Sequence, residues 1–281
     1  MTWRLRITHR SGYNYAAPVT ASYNEARMTP TTDLHQITVS ADVQVDPAPA
    51  SVVRYWDYWG TQVTAFDLHR PHELLEITSS SVVETQAPDE PADVLPRVAL
   101  CEEKVRDRFH EFLVPTAYTP EDADLVTQGR DLAEGLDSVD AVLAISKWVH
   151  AALRYEQGVT AVHTSAVEAL ATGSGVCQDY AHLALVLLRA ADIPARYVSG
   201  YFHPITDAAR GDVAVGQSHA WIEAYVGSWL GHDPTNDLPI GEQHVIVGRG
   251  RDYADVPPLR GVFSGGASSA LGVDVAITRE S

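Results

Sequence analysis

Between Trp3 and about Thr85 apolar and polar positions alternate with a period of two, the pattern that turns one face of a strand to a core and the other to water. Leu5, Ile7 and His9 alternate with Arg4, Arg6 and Thr8, and Ile37, Val39, Ala41, Val43 and Val45 alternate with polar neighbours. Tyr55-Trp56-Asp57-Tyr58-Trp59, the turn pair Gly60-Thr61 and the run Val63 to Phe66 predict a hairpin, and Leu74 to Glu84 a further extended segment. Residues 1–90 are therefore expected to form an antiparallel β domain. Gln86 to Pro96 holds Pro88, Pro91 and Pro96 among acidic residues and breaks the pattern, which puts a domain boundary there.

In residues 91–281 the period changes. Val98, Cys101, Val105, Phe109 and Phe112 recur at helical spacing, which assigns Cys101 to a core-facing stripe. Thr119-Pro120 reads as an N-cap and first-turn pair, Ser138 precedes the periodic run Val139 to Leu153, and Thr164 precedes Ser165 to Ala171. Four helices are expected before residue 172. Gly173-Ser174-Gly175-Val176-Cys177 then leads into Gln178 to Ala191, apolar on nearly every side and so read as a buried helix. Ile193 to Tyr201 and Ser218 to Val226 read as strands, the second joined through Gly227-Ser228 to Trp229 to Asp233. Gly248 to Gly266, rich in Gly, Pro and Arg, is expected to be irregular, with Leu271 to Thr278 a last strand. The fold class is α+β: an N-terminal antiparallel β domain, then helices packed on an antiparallel sheet.

Composition narrows the function. The 281 residues are 45% apolar and 20% charged, enough for a real core, and wholesale disorder is excluded. Twenty Lys and Arg against 37 Asp and Glu give a formal net charge of −17, which repels phosphate backbones and anionic headgroups and favours cationic substrates. Nucleic acid and membrane partners are not expected. The longest apolar runs, such as Leu183 to Leu188, fall short of the roughly 20 residues a membrane span needs, and Met1 to Arg6 leads into alternation rather than a leader-like apolar stretch. A soluble, cytoplasmic protein is expected. Cys101 and Cys177 are the two cysteines, too few for a disulfide framework or a cysteine zinc cage, although one disulfide stays open. A cysteine that matters here matters for its reactivity.

Cys177 follows a Gly-Ser-Gly turn and opens a helix, so its sulfur should lie at the positive end of the helix dipole, beside first-turn N–H groups that can hold a developing oxyanion. The plainer alternative is a small buried hydrophobe. In Ser218 to Val226, period two puts Ala220, Ile222, Ala224 and Val226 on one apolar face. His219, Trp221, Glu223 and Tyr225 take the other, which suits a cleft where an imidazole takes a thiol proton and returns it to a leaving amine. A structural or merely exposed histidine is the alternative. Asp233, in His232-Asp233-Pro234-Thr235-Asn236, can accept the imidazole N–H and fix its tautomer, or simply start a turn. A two-residue Gly227-Ser228 loop would set Asp233 opposite Ile222, on the wrong face. A loop one residue longer, or a bulge at Gly231, brings it opposite Glu223 and onto the His219 face, and one of these is expected.

Four blocks, Gly175-Val176-Cys177-Gln178-Asp179-Tyr180-Ala181-His182, Ile193-Pro194-Ala195-Arg196-Tyr197-Val198-Ser199-Gly200-Tyr201, Ser218-His219-Ala220-Trp221 and Asp233-Pro234-Thr235-Asn236, come in an order that resembles the core of the bacterial transglutaminase-like superfamily. The tail Gly250 to Pro258 and the N-terminal β region are similar to the bacterial branch with its own N-terminal domain, so the resemblance covers nearly the whole chain. It implies a papain-like α+β core with the cysteine helix packed on an antiparallel sheet, and no cofactor. It also implies Cys177 as nucleophile, His219 as general base and acid, and Asp233 as the residue that orients the imidazole. Such enzymes form a thioester acyl-enzyme from an amide and pass the acyl group to water or to an amine. Relatives place an aromatic side chain upstream of the cysteine beside the oxyanion; Tyr155 is the candidate here, with a core tyrosine as the alternative. Gln178 is a second candidate, through its backbone N–H more than its side chain, and Trp221 and Trp229 are candidate cleft walls.

Large cross-linking relatives are longer, multidomain and calcium-responsive, whereas this chain is short and has no EF-hand-type loop. Cleavage of an amide or peptide bond in a peptide or protein substrate is therefore favoured over transfer to an amine. A non-catalytic binding module that keeps the fold is the alternative from another class, and a metal hydrolase built on the twelve histidines is a third. His69-Arg70-Pro71-His72 lacks a third ligand at a convincing spacing. His182 and His244 read as supporting or structural, Glu121, Asp122 and Asp124 as acids opposing a helix dipole, and Asp207 to Gly216 as a mobile loop gating the cleft.

Overall fold

The structure, a computed structural model, describes residues 2–281 except 217, 266 and 271. Met1, Gly266 and Leu271, the expected start of the last strand, lie outside the described residues. The period-two segments fold as long antiparallel strands: Thr2–Val19 pairs with His72–Gln86, which pairs on its other side with Gln36–Asp46. A second, four-stranded sheet runs in the order Leu259–Ser264, Ala21–Ala26, Gln62–Leu68, Ser51–Trp56.

Neither sheet closes within residues 1–90. Leu259–Ser264 joins Ala21–Ala26, and Asp274–Arg279 pairs with Thr2–Val19 and carries Val213–Gly216 on its far side. The stretch expected to be irregular thus holds the end of a strand, His244–Gly250, a 3-10 turn, Tyr253–Asp255, and Leu259–Ser264. Its partners lie at the other end of the chain, where local composition carries no sign of them.

The stripe from Val98 to Phe112 is no single helix. It breaks into Arg97–Leu100, Glu103–Arg108 and a 3-10 turn, His110–Phe112. Leu100, Val105 and Phe109 are buried, whereas Cys101 sits at the break and is exposed, which corrects its assignment to the core. Thr119-Pro120 starts no helix either; the Thr119 hydroxyl accepts from Arg189 at 2.7 Å, and the Asp122 carboxylate caps Ala123–Leu132. Asp137 caps Ser138–Ala152, and Ser165 with Glu168 forms a capping box on Ala166–Thr172.

Cys177–Ala190 is the central helix, buried on nearly every side. It packs on the Ala123–Leu132 and Ser138–Ala152 helices and on a five-stranded antiparallel sheet ordered Leu238–Pro239, Trp229–Asp233, His219–Tyr225, Ala195–Phe202, His244–Gly250. The fold is therefore α+β, as the periodicities predict. Towards the ends of its strands, Tyr201, Val245 and Val247 of the sheet meet Leu5, Ile7 and Ile277 of the N-terminal sheet. Among the described residues no helix is long and apolar enough to cross a membrane.

Candidate active site

The cysteine helix begins where the backbone is tightly held. The Asp179 carboxylate accepts the Val176 N–H at 2.8 Å and the Thr160 hydroxyl at 2.7 Å, and burial raises its pKa. A Cβ at Gly175 would stand 2.5 Å from that carboxylate, so glycine is the residue that lets the helix entrance close over Asp179. Strand Arg154–Tyr155 pairs with Ser174–Gly175 alongside. Cys177 is thereby fixed as the first helical residue, only partly buried, next to N–H groups of the first turn that have no intrahelical acceptor. Its Sγ lies 4.0 Å from the Ser218 carbonyl oxygen, the residue before His219.

His219 opens strand His219–Tyr225 opposite Gly200. Its Nε2 is 2.7 Å from Asp233 Oδ2, which leaves Nδ1 as the nitrogen for the thiol. Burial opposes a charged imidazole, but hydrogen bonds to Asp233 and Cys177 and their charges outweigh it, and the His219 pKa is pushed up to about 10. Asp233 is fully buried. Burial alone would raise its pKa, yet the hydrogen bond from His219, with the His244 imidazole close by, holds the carboxyl well below the usual carboxylate range. Its Oδ1 accepts the Thr235 and Asn236 N–H groups at 2.9 and 3.3 Å, and Asn236 Nδ2 donates to Oδ2 at 2.7 Å.

The loop that carries Asp233 to this face is one residue longer than the minimal turn. Tyr225 faces Trp229 and Ile222 faces His232, so Val226, Gly227 and Ser228 form the loop. Glu223 faces Gly231, and the register sets Asp233 on the Trp221 side of His232 rather than opposite Glu223. The parity is the one expected, and the position is one pair away on the same face.

Two neighbours support this pair, His244, read in sequence as supporting or structural, and Phe202. His244 is buried and accepts the Gly241 N–H on Nδ1, which puts its proton on Nε2, 3.7 Å from Asp233 Oδ2. Burial first, against the pull of Asp233, lowers its pKa and keeps the ring neutral. Phe202 stacks on both His219 and His244, with ring centroids 5.1 and 4.6 Å away, and so holds the two imidazoles in register.

A cavity of about 450 Å³ opens beside His219, lined by Tyr155, Phe202, Asn236 and, from the strands of the N-terminal sheet, Ala214, Val215 and Ile277. Tyr155 is half-exposed there rather than a core residue, and burial with the nearby Cys177 charge raises its pKa. Gln178 turns its side chain away, donating to the Val162 carbonyl at 2.9 Å, so only its backbone N–H remains for the oxyanion. Trp221 is fully buried, with its ring 2.6 Å from where a Gly200 Cβ would stand, and it touches no substrate from that position. Trp229 carries the Arg196 guanidinium 3.8 Å above its ring and is outside the cavity lining. Glu223 on the same face is buried between Arg196 and Arg249. The face read as an open cleft is thus covered at Trp221 and Glu223 and partly open at His219 and Tyr225. Part of the expected gating loop is strand Val213–Gly216, and the cavity lining holds no carboxylate among the described residues, against the cationic preference that net charge favours.

Comparison with known proteins matches this architecture. Residues 128–234, which span Cys177, His219 and Asp233, match the transglutaminase-like superfamily, and residues 5–84 match the bacterial transglutaminase-like N-terminal region. The chain belongs to the transglutaminase-like superfamily. An uncharacterized protein of Mycobacterium leprae (strain TN) is 48% identical across 99% of both chains. A solved structure from Cytophaga hutchinsonii, described as a candidate cysteine protease, shares the fold with a TM-score of 0.79 and 23% identity, over 99% of this chain and 91% of that one. Within the superfamily, a stretch of 100 residues, 32% of this chain, is 37% identical to part of a protein-glutamine gamma-glutamyltransferase of Pseudomonas aeruginosa, of which it covers 15%.

Proposed function

We propose that this superfamily member is a cysteine hydrolase that cleaves an amide or peptide bond through a thioester, using Cys177, His219 and Asp233. The observation that carries the reading is the His219 imidazole, held at 2.7 Å by a buried carboxylate with its other nitrogen left for a thiol at a helix N-terminus. In the first half-reaction His219 takes the thiol proton, and the thiolate attacks the carbonyl carbon as the π pair moves to oxygen. The first-turn N–H groups hold that oxyanion. The tetrahedral adduct collapses, the C–N bond breaks, and the imidazolium gives its proton to the departing amine. Water, deprotonated by His219, then attacks the thioester, the C–S bond breaks, the carboxylic acid departs, and the imidazolium returns its proton to the Cys177 sulfur. Asp233 holds the tautomer in both halves. Water at about 55 M is the default acceptor unless a site excludes it.

Transfer to a primary amine is the second reading, favoured by the local likeness to the gamma-glutamyltransferase. Its acyl-enzyme is the same. We place the activity in the cytoplasm on peptide or protein amides, with nucleic acid and anionic membranes disfavoured by the charge of −17. The test is intact-protein mass spectrometry of the protein incubated with a peptide library and then quenched in acid, with Cys177→Ala alongside. An acyl adduct on Cys177 that turns over to acid supports hydrolysis; turnover into biotinylated pentylamine supports transfer. No adduct and no difference from Cys177→Ala leaves the non-catalytic module.

A further inference from the structure

Val213–Gly216 is the edge strand of the six-stranded sheet, and Asp274–Arg279 covers only one of its sides. Arg279 donates its N–H to the Asp212 carbonyl at 3.0 Å, and antiparallel bonding alternates. Ala214 and Gly216 therefore turn their backbone groups into the sheet, facing Ile277 and Val275, while Val213 and Val215 turn theirs to the open side. Both valines are exposed, at 53% and 77%. Such a row of unpaired N–H and C=O groups is a template for another strand.

This edge runs into the active site. Gly216 stands two residues before Ser218, within about 7 Å of chain, and the Ser218 carbonyl meets the Cys177 sulfur. Ala214, Val215 and Gly216 line the same 450 Å³ cavity as His219. Ala214 and Ile277 pair across the sheet and so share a face, and Val275 and Ile277, 1% and 3% exposed, close the cavity on that side. No carboxylate, ammonium or guanidinium lines it among the described residues.

We propose that Val213–Gly216 takes up the substrate as an added β-strand: an extended peptide whose neutral, apolar side chain enters the cavity over Ala214, Val275 and Ile277. The proposal rests on the reading of Cys177 as the nucleophile and gives that reading a substrate class. The N-terminal sheet then contributes the recognition edge, and the five-stranded sheet and its helix the chemistry.

The test uses acetyl-Ala-Ala-X chloromethyl ketones with X as Leu, Asp or Lys. The Cys177 thiolate attacks the methylene carbon, a C–S bond forms, and chloride leaves with the C–Cl electron pair. Each rate is divided by the rate of iodoacetamide alkylation of Cys177 in the same protein, since that small reagent needs no strand pairing. The Leu probe is expected to exceed the Asp and Lys probes at least tenfold. N-methylation of the probe backbone should cost at least tenfold at one parity of positions and little at the other. Val215→Pro removes an outward N–H and should fall at least fivefold below Val215→Ala, which keeps it. Equal rates for the three probes, or indifference to N-methylation, overturn the proposal. The N-methyl series is read on the wild-type chain, so the result stands even where the proline variant fails to fold. Iodoacetamide that labels Cys177 no faster than Cys101 in the native protein would instead sink the catalytic reading, and the proposal with it.

Discussion

Asp233→Asn alters one buried charge and almost no volume, which makes it the sharpest probe of the site. Asp233 Oδ1 can keep the Thr235 and Asn236 N–H bonds at 2.9 and 3.3 Å, but Oδ2 accepts from both His219 Nε2 and Asn236 Nδ2 at 2.7 Å. An amide group there faces two donors with a donor of its own. The imidazole can restore one bond by moving its proton to Nδ1, the nitrogen meant to receive the thiol proton. Two unit charges about 4 Å apart at an effective dielectric near 20 interact by about 4 kcal/mol. The amide dipole returns a part, leaving a loss of about 3 kcal/mol in stabilising the imidazolium, roughly two orders of magnitude in rate. The assay is iodoacetamide alkylation of Cys177 at pH 7 in a Cys101→Ala background, with circular dichroism as the check on folding. A fall of about 100-fold is expected, narrowing above about pH 9, where an unassisted thiol ionises by itself. A folded Asp233→Asn variant that reacts within threefold of wild type would refute the role given to the buried carboxylate.

Three further outcomes are expected. Because the folded-state pKa of His219 is raised to about 10, its charge stabilises the fold fully below the ordinary value of about 6.5 and is lost as pH climbs through about 10. The melting-temperature gap between wild type and His219→Ala should therefore shrink steadily over that window, and a constant gap would contradict it. Gly175→Ala pushes a methyl group to 2.5 Å from the Asp179 carboxylate; urea unfolding should show a loss of about 1–3 kcal/mol, with slower Cys177 alkylation as the helix entrance shifts. Glu223→Ala leaves the largely buried Arg196 and Arg249 without their shared carboxylate and should cost about 3–5 kcal/mol in urea unfolding, more than Glu223→Gln, which keeps an acceptor oxygen.

Much of this was legible because the decisive features are local. Glycine at 175 before Cys177, the all-apolar run behind it and the alternation in Ser218 to Val226 each follow from a few adjacent residues, and they put the thiol at a helix start and His219 on a strand. Turn parity carried Asp233 to the right face because a one-residue change in a hairpin flips every side chain beyond it. Misreadings arose where long-range pairing decides. Trp221 and Glu223 alternate with apolar residues like an exposed face, yet Trp221 is buried against Gly200 and Glu223 lies between Arg196 and Arg249. Cys101 fits a helical period, but the chain turns at that residue. His244 reads in sequence as supporting or structural without a named partner, since its contact with Asp233 depends on a strand that enters the sheet from the far edge.

The long-range pairing also joins residues 1–90 to the surroundings of the candidate site. Asp274–Arg279 bonds to Thr2–Val19 on one side and to Val213–Gly216 on the other. A change in the first strand therefore reaches the wall of the cavity through two ladders of backbone hydrogen bonds, without touching Cys177. The apolar contacts of Leu5 and Ile7 with Val245 and Val247 tie the same sheet to the strand that holds His244 against Asp233. Loss of the N-terminal sheet would unseat both the substrate edge and the second imidazole, whereas the thiol at the helix entrance, held by Asp179 and Thr160, would keep its own local supports. The proposed substrate edge and the proposed triad thus lie on different sheets and meet at the cavity beside His219.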